Sequence, residues 1–193
     1  DPGDPQARRG SAEIQSRKSA SSFVRERATL SDQKMDIKTQ VSVDIARGRE
    51  EVFALATAPG TLPLIFRGKG PIPGVKADEL VGGGEVIRPG SVRHLQMTDG
   101  SVLDENFVEF ERPSSFAYQM SGIRPPLSLL VSAAGGRWVY TGDDKHTRIT
   151  WTYTCTARNL LIAPVTALLI KLFMNTAMSD CLQQLKAQCE KAR

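Results

Sequence analysis

Histidine is almost missing from this chain: among 193 residues only His94 and His146 occur. No metal-ligand spacing can be assembled from them, so the sequence implies no bound metal, and nothing in it asks for a cofactor. Cysteine is scarce too. Cys155, Cys181 and Cys189 are odd in number and none stands in a Cys-x-x-Cys pair. Each falls on the apolar side of its segment, which argues against a disulfide framework and for buried, reduced thiols in a cytoplasmic protein. Long hydrophobic runs are lacking. The greasiest stretch, residues 160–174, is interrupted by Pro164, Thr166 and Lys171, and it falls short of the roughly 20 apolar residues that a membrane-spanning helix needs. Membrane contact is compatible with such a stretch; an integral span is not. There is no apolar core of a secretory signal near the first residues. The net charge is only +4, with seven basic and five acidic residues inside 1–34. No basic stripe with interleaved aromatics exists, which speaks against a nucleic-acid partner. Gly82-Gly83-Gly84 is not followed by Gly-Lys-Ser/Thr, so it is no phosphate loop. Neither a Ser/His/Asp nor a Cys/His nucleophile system has local support.

What is present is a patterned domain behind a polar tail. Residues 1–34 are rich in Ser, Arg, Gln and Ala, and their composition predicts disorder. Met35 directly precedes the first regular pattern, which places the domain at 35–193. Ile37, Thr39, Val41, Val43 and Ile45 alternate with polar residues as in a half-buried strand. Residues 49–58 read as a short helix with Val52, Phe53 and Ala56 inward, and residues 62–66 as a second helical turn. From 75 to 156 the pattern is strand after strand. The clearest, residues 149–155, puts Ile149, Trp151, Tyr153 and Cys155 on one face and threonines on the other. Residues 164–191 hold no glycine or proline after Pro164. Ile170, Met174, Met178, Cys181, Leu185 and Cys189 recur there every three or four positions, which predicts one long amphipathic helix. The apolar excess of residues 160–174 is expected to line a cavity.

Asp99-Gly100 between residues 92–98 and 101–110 is a strong hairpin signal. A two-residue turn there pairs Arg93 with Asn106, Leu95 with Asp104 and His94 with Glu105. One face then carries Leu95, Met97, Val102, Val108 and Phe110 around Arg93, Asp104 and Asn106. Being the more apolar, it is expected to face inward; a slip of one residue exchanges the faces.

The order of strand, two short helices, about six antiparallel strands and a long final helix makes this an α+β domain, with a curved antiparallel sheet of six to seven strands wrapped around the last helix. Over residues 36–192 the chain resembles the START/SRPBCC helix-grip superfamily, above all its polyketide cyclase/dehydrase and lipid-transport-like members. The resemblance rests on this element order and on local stretches. These are Glu50-Glu51-Val52-Phe53, Gly70-Pro71-Ile72-Pro73-Gly74, Gly90-Ser91-Val92-Arg93, Asp99-Gly100 followed by Glu105, and Thr150-Trp151. It implies a deep, mostly apolar cavity between sheet and helix for a lipid, polyketide or similar hydrophobic small molecule. It carries no fixed catalytic motif, so carrier or sensor and polyketide cyclase/dehydratase both remain open.

The ligand-binding candidates are Arg93, Asp104, Asn106, Tyr118, Trp138, Trp151, Tyr153, Ile170, Met174 and Met178. Arg93 offers a two-pronged donor to a carboxylate or carbonyl, or else satisfies itself in an ion pair with Asp104. The aromatics offer polar tips to a ligand, or pack as core. His94 with Glu105 is either a general-base pair or a solvated cross-strand pair.

Overall fold

The computed structural model describes residues 34–84 and 86–191; the tail expected to be disordered lies outside them, apart from Lys34. The first strand, β1 (Met35–Ile45), pairs antiparallel with the last, β9 (Thr147–Ala157), over its whole length. The alternation seen in sequence holds: Ile149, Trp151, Tyr153 and Cys155 are all buried. On the outer face Thr156 donates to Asp36 at 2.7 Å, Thr152 donates to Gln40 at 3.1 Å, and Arg148 pairs with Asp44 at 3.0 Å. β-branched and aromatic residues suit such a ladder, because the pleat gives each a neighbour across the strand.

Between these strands run α1 (Arg49–Thr57), α2 (Thr61–Ile65), the small hairpin β2 (Gly68–Lys69) and β3 (Ile72–Pro73), and then β4 (Val75–Leu80), β5 (Val92–Met97), β6 (Val102–Glu111), β7 (Ser115–Ser121) and β8 (Val131–Gly142). A 3₁₀ turn at Leu127–Leu129 precedes β8. The seven-stranded sheet has the order β1-β9-β8-β7-β6-β5-β4, every neighbouring pair antiparallel. It curls around α3 (Ala163–Lys191), a continuous 29-residue helix. The fold is the helix-grip α+β architecture. Helix α1 plugs one end: Phe53 is fully buried and meets Phe110 and Tyr140 edge-on at 5.3 and 5.0 Å.

The β5–β6 hairpin departs from the sequence reading by one residue. Arg93 stands opposite Glu105, His94 opposite Asp104, and Leu95 opposite Leu103. The cause is the loop. Met97 N–H donates to Ser101 O and Gly100 N–H to Met97 O, so three residues, Thr98 to Gly100, make the turn. A two-residue turn of the type favoured in hairpins needs positive φ at both central positions; here only Gly100 adopts it, at 81°. Leu103, Glu105 and Phe107 therefore turn inward and Asp104 and Asn106 outward, correcting the expected face. Phe110 still reaches the core, because a bulge between Phe107 and Glu109 shifts the phase again. Replacing Gly100 by alanine has no steric obstacle, so its cost is that of a left-handed residue with a side chain, roughly 1–2 kcal/mol. A chemical denaturation curve measures it.

Helix α3 starts with proline in its first turn and passes through a π-helical turn at Ile170–Met174. Its inward stripe of Ile170, Met174, Met178, Cys181, Leu185 and Cys189 is buried throughout. The expectation that residues 160–174 line the cavity fails, since of this run only Met174 reaches the wall. Leu161, Val165, Leu168 and Leu172 are more than half exposed. A helix lying on one sheet has a single face to bury, and the apolar residues beyond that face turn outward.

Candidate functional site

Between the concave side of the sheet, α2, the β2–β3 hairpin and α3 lies a cavity of about 190 Å³. It is somewhat larger than the roughly 150 Å³ apolar cavity that accepts benzene in an engineered protein. The strands supply Leu95, Met97, Leu103, Phe116, Trp138 and Trp151; α2 and its exit supply Leu62, Ile65 and Phe66. Residues 123–127, from the end of β7 to the first residue of the 3₁₀ turn, form its rim with Pro71 and Pro73.

Into this apolar chamber the sheet brings one charged cluster. Arg93 donates through Nε and Nη2 to a single oxygen of Glu105, at 2.8 and 2.5 Å, and its Nη1 lies 3.8 Å from Asp78. The Arg93, Glu105 and Asp78 side chains are 7, 6 and 1% exposed. Burial alone pulls the Arg93 guanidinium down, but Glu105, followed by Asp78, more than reverses this and it stays firmly charged. Its carbon also stands 5.3 Å from the centre of the Phe107 ring. Asp78 is anchored by the Gly60 amide at 3.0 Å. One cation thus faces two carboxylates.

Next to the cluster stand three polar tips, those of Tyr118, Tyr153 and Trp151. The Tyr118 and Tyr153 phenols are held far above their ordinary pKa, chiefly by burial and then by neighbouring charge that includes Glu105, so they stay protonated. The indole nitrogen of Trp151 is close enough to the Tyr118 hydroxyl to favour its ionised form. It is nevertheless buried with no hydrogen bond of ordinary geometry among the described residues. Both groups lean over Gly136, where a Cβ would come within 2.5 Å of the Tyr118 oxygen and 2.9 Å of the Trp151 nitrogen. Glycine at this point of β8 is what lets the two polar tips converge. The remaining oxygen of Glu105 accepts no hydrogen bond among the described residues, and the residue faces the cavity.

Of the residues singled out by sequence, the structure gathers Arg93, Tyr118, Trp138, Trp151, Tyr153 and Met174 on the cavity wall. Asp104 and Asn106 lie on the other side of the sheet, corrected by the hairpin register. Asp104 pairs there with His94, and Asn106 donates to the Gln119 carbonyl and to Ser121. Ile170 and Met178 are buried but pack away from the cavity wall. The ion pair open to Arg93 is made with Glu105 rather than Asp104. Sequence reasoning missed Glu105 as a wall residue and Asp78 altogether. The signal for Glu105 was legible as Leu103, Glu105 and Phe107 at alternate positions; nothing local marked Asp78. The thiols are inert: burial pushes Cys155 and Cys189 up to about 11, and Cys181 further.

A sheet that grips a long helix around an apolar cavity is the helix-grip class of domain. The chain belongs to the polyketide cyclase / dehydrase and lipid transport family, whose model matches residues 36–190. Comparison with curated protein sequences finds no match. Solved structures with the same fold are numerous. Truncated norcoclaurine synthase from Thalictrum flavum aligns with TM-score 0.62 at 13% identity, over 83% of this chain and 98% of that one. The protein XoxI from Bacillus cereus aligns with TM-score 0.57 at 19% identity, over 80% and 96%. The di-domain ARO/CYC BexL of the BE-7585A biosynthetic pathway aligns with TM-score 0.58 at 17% identity, over 100% of this chain and 62% of that one. At such identities they establish the fold.

Proposed function

We propose that this domain binds a compact, ring-bearing hydrophobic molecule in the cavity, with one polar oxygen at the end held by Tyr118, Tyr153 and Trp151, and acts as its carrier or sensor. The observation that carries this reading is the convergence of the Tyr118 and Tyr153 hydroxyls and the unpaired Trp151 indole nitrogen inside an otherwise apolar chamber. A buried N–H or O–H left unpaired costs about 1–3 kcal/mol, and a carbonyl or phenolate oxygen of a ligand removes that cost. The aromatic walls of Phe66, Phe116, Trp138 and Trp151 suit a flat ring. Norcoclaurine synthase, which shares the fold, has been solved in complex with dopamine and hydroxybenzaldehyde; single-ring phenols of that size match the volume here.

Glu105 favours a second reading, a cyclase or dehydratase acting on a polyketide-like substrate. Its unpaired oxygen is a general base beside two protonated phenols. The carboxylate takes a proton from the carbon next to a bound carbonyl, and the phenols hold the resulting enolate oxygen. The enolate carbon then bonds to a second carbonyl, whose oxygen regains the proton.

Native mass spectrometry of molecules that co-purify with the protein tests the first reading, together with titration of 4-hydroxybenzaldehyde and of toluene. Tyr118→Phe with Tyr153→Phe is expected to weaken the hydroxybenzaldehyde about tenfold and leave toluene unchanged. Loss of both ligands together, or a pocket that binds only on partial unfolding, defeats the polar-end reading. Glu105→Gln separates carrier from enzyme: binding survives in both cases, and turnover is lost only in the second.

A further inference from the structure

The outward apolar residues of α3 form a surface of their own. Val165, Leu168 and Leu172 are 53, 56 and 52% exposed on one side of the helix, and Leu161, 60% exposed, stands in the turn just before it. Leu129, 59% exposed, belongs to the same patch, because its turn is tied to the helix. The Arg158 amide and the Thr166 hydroxyl both donate to the Leu130 carbonyl, and the Arg158 guanidinium donates to Ser128 O at 2.8 Å. Exposed large apolar residues scattered singly need no explanation; five gathered on one face do.

Charge selects the partner. No aspartate or glutamate occurs between Lys145 and Ser179, nor between Arg112 and Gly142. The stripe and the 123–130 segment are therefore free of acid, whereas Arg124, Arg158 and Lys171 are exposed at their edges. Lys34 joins Arg158 in a shallow polar groove beside the same segment. We infer that this face seats on an anionic membrane surface, with α3 lying in the plane of the headgroups. An apolar stripe rimmed by cations and without acids is what an anionic bilayer selects, since aliphatic burial and attraction to acidic lipid then add. The helix does not cross the bilayer. Its opposite face, through Ile170, Met174, Met178 and Cys181, is committed to the core. Residues 123–127 belong both to the rim of the cavity and to this edge, so docking brings the mouth of the cavity to the lipid surface. The inference stands on surface residues alone and holds whether or not the cavity takes the ligand proposed above.

Sedimentation with vesicles of phosphatidylcholine, with and without phosphatidylserine, tests it. The protein is expected to pellet with the mixed vesicles, to be released by high salt, and to stay in solution with phosphatidylcholine alone. Leu168→Glu combined with Leu172→Glu should weaken binding about tenfold or more, and Lys171→Glu should weaken it selectively at low salt. Thermal unfolding of the same variants must match wild type, which separates a folding defect from lost docking and does not depend on the pocket reading. Failure to pellet, or equal binding to both vesicle types, overturns the inference. So does a wild-type dimer in equilibrium sedimentation that the double variant converts to monomer, since the stripe is then covered by a second copy of the chain.

Discussion

Replacing Arg93 by methionine is expected to destabilise the domain by about 3–5 kcal/mol, the usual consequence of deleting one member of a buried ionic cluster. For a chain of this size that is a fall of roughly 10 °C in melting temperature. The methionine packs acceptably against Phe107, so lost volume is a minor part. The larger part is that the Glu105 and Asp78 side chains, 6 and 1% exposed, would remain in the apolar interior with no cation. Adding Glu105→Gln to Arg93→Met should recover part of the loss, because one of the two uncompensated charges is gone. His94→Gln is the control. His94 and Asp104 are 39 and 34% exposed on the outer face, and a pair of that kind contributes about 0–1 kcal/mol. An Arg93→Met protein that melts with the wild type would show that the cluster is solvated. Replacing a complete buried ion cluster by well-packed apolar residues is often neutral or stabilising. Stability alone therefore does not account for this cluster beside the cavity.

Met174→Trp should close the cavity. Met174 is the residue through which α3 reaches the wall, and its flexible side chain leaves space that an indole fills. Hydroxybenzaldehyde affinity is expected to fall about tenfold or more, with an overpacking cost near 1–3 kcal/mol that leaves the domain folded at room temperature. Met178→Trp supplies the contrast. Met178 is fully buried and away from the cavity wall, so an indole there strains the sheet–helix contact and lowers stability without selectively blocking the ligand. Calorimetric titration beside thermal unfolding distinguishes the two. Equal ligand affinity in wild type and Met174→Trp would place the ligand elsewhere.

The two variants also mark where sequence stops determining this protein. Alternation from Ile149 to Cys155 and the stripe from Ile170 to Cys189 are properties of consecutive residues. Side-chain direction has period 2 in a strand and 3.6 in a helix, so these patterns alone specified the last strand, the closing helix and the α+β class. The short helices came from the same source: Val52, Phe53 and Ala56 can share a buried side only on a helix.

The cavity's chemistry had no such source. Whether Glu105 or Asp104 entered the interior depended on one residue of loop length, and Asp99-Gly100 is compatible with a two-residue and a three-residue turn alike. Long-range contacts decided it. With three residues in the loop, Leu103 and Phe107 go into the core and Glu105 meets Arg93; with two, Asp104 and Asn106 would be buried among aromatics. The bulge at Val108, which brings Phe110 back beside Phe53, is likewise invisible until β7 is in place. Asp78 joins Arg93 only because β4 pairs with β5. Nor did the apolar content of residues 160–174 say which way they face: a helix presents its residues in every direction, and only the sheet, by occupying one side, sent Met174 into the cavity and Leu168 out to the surface.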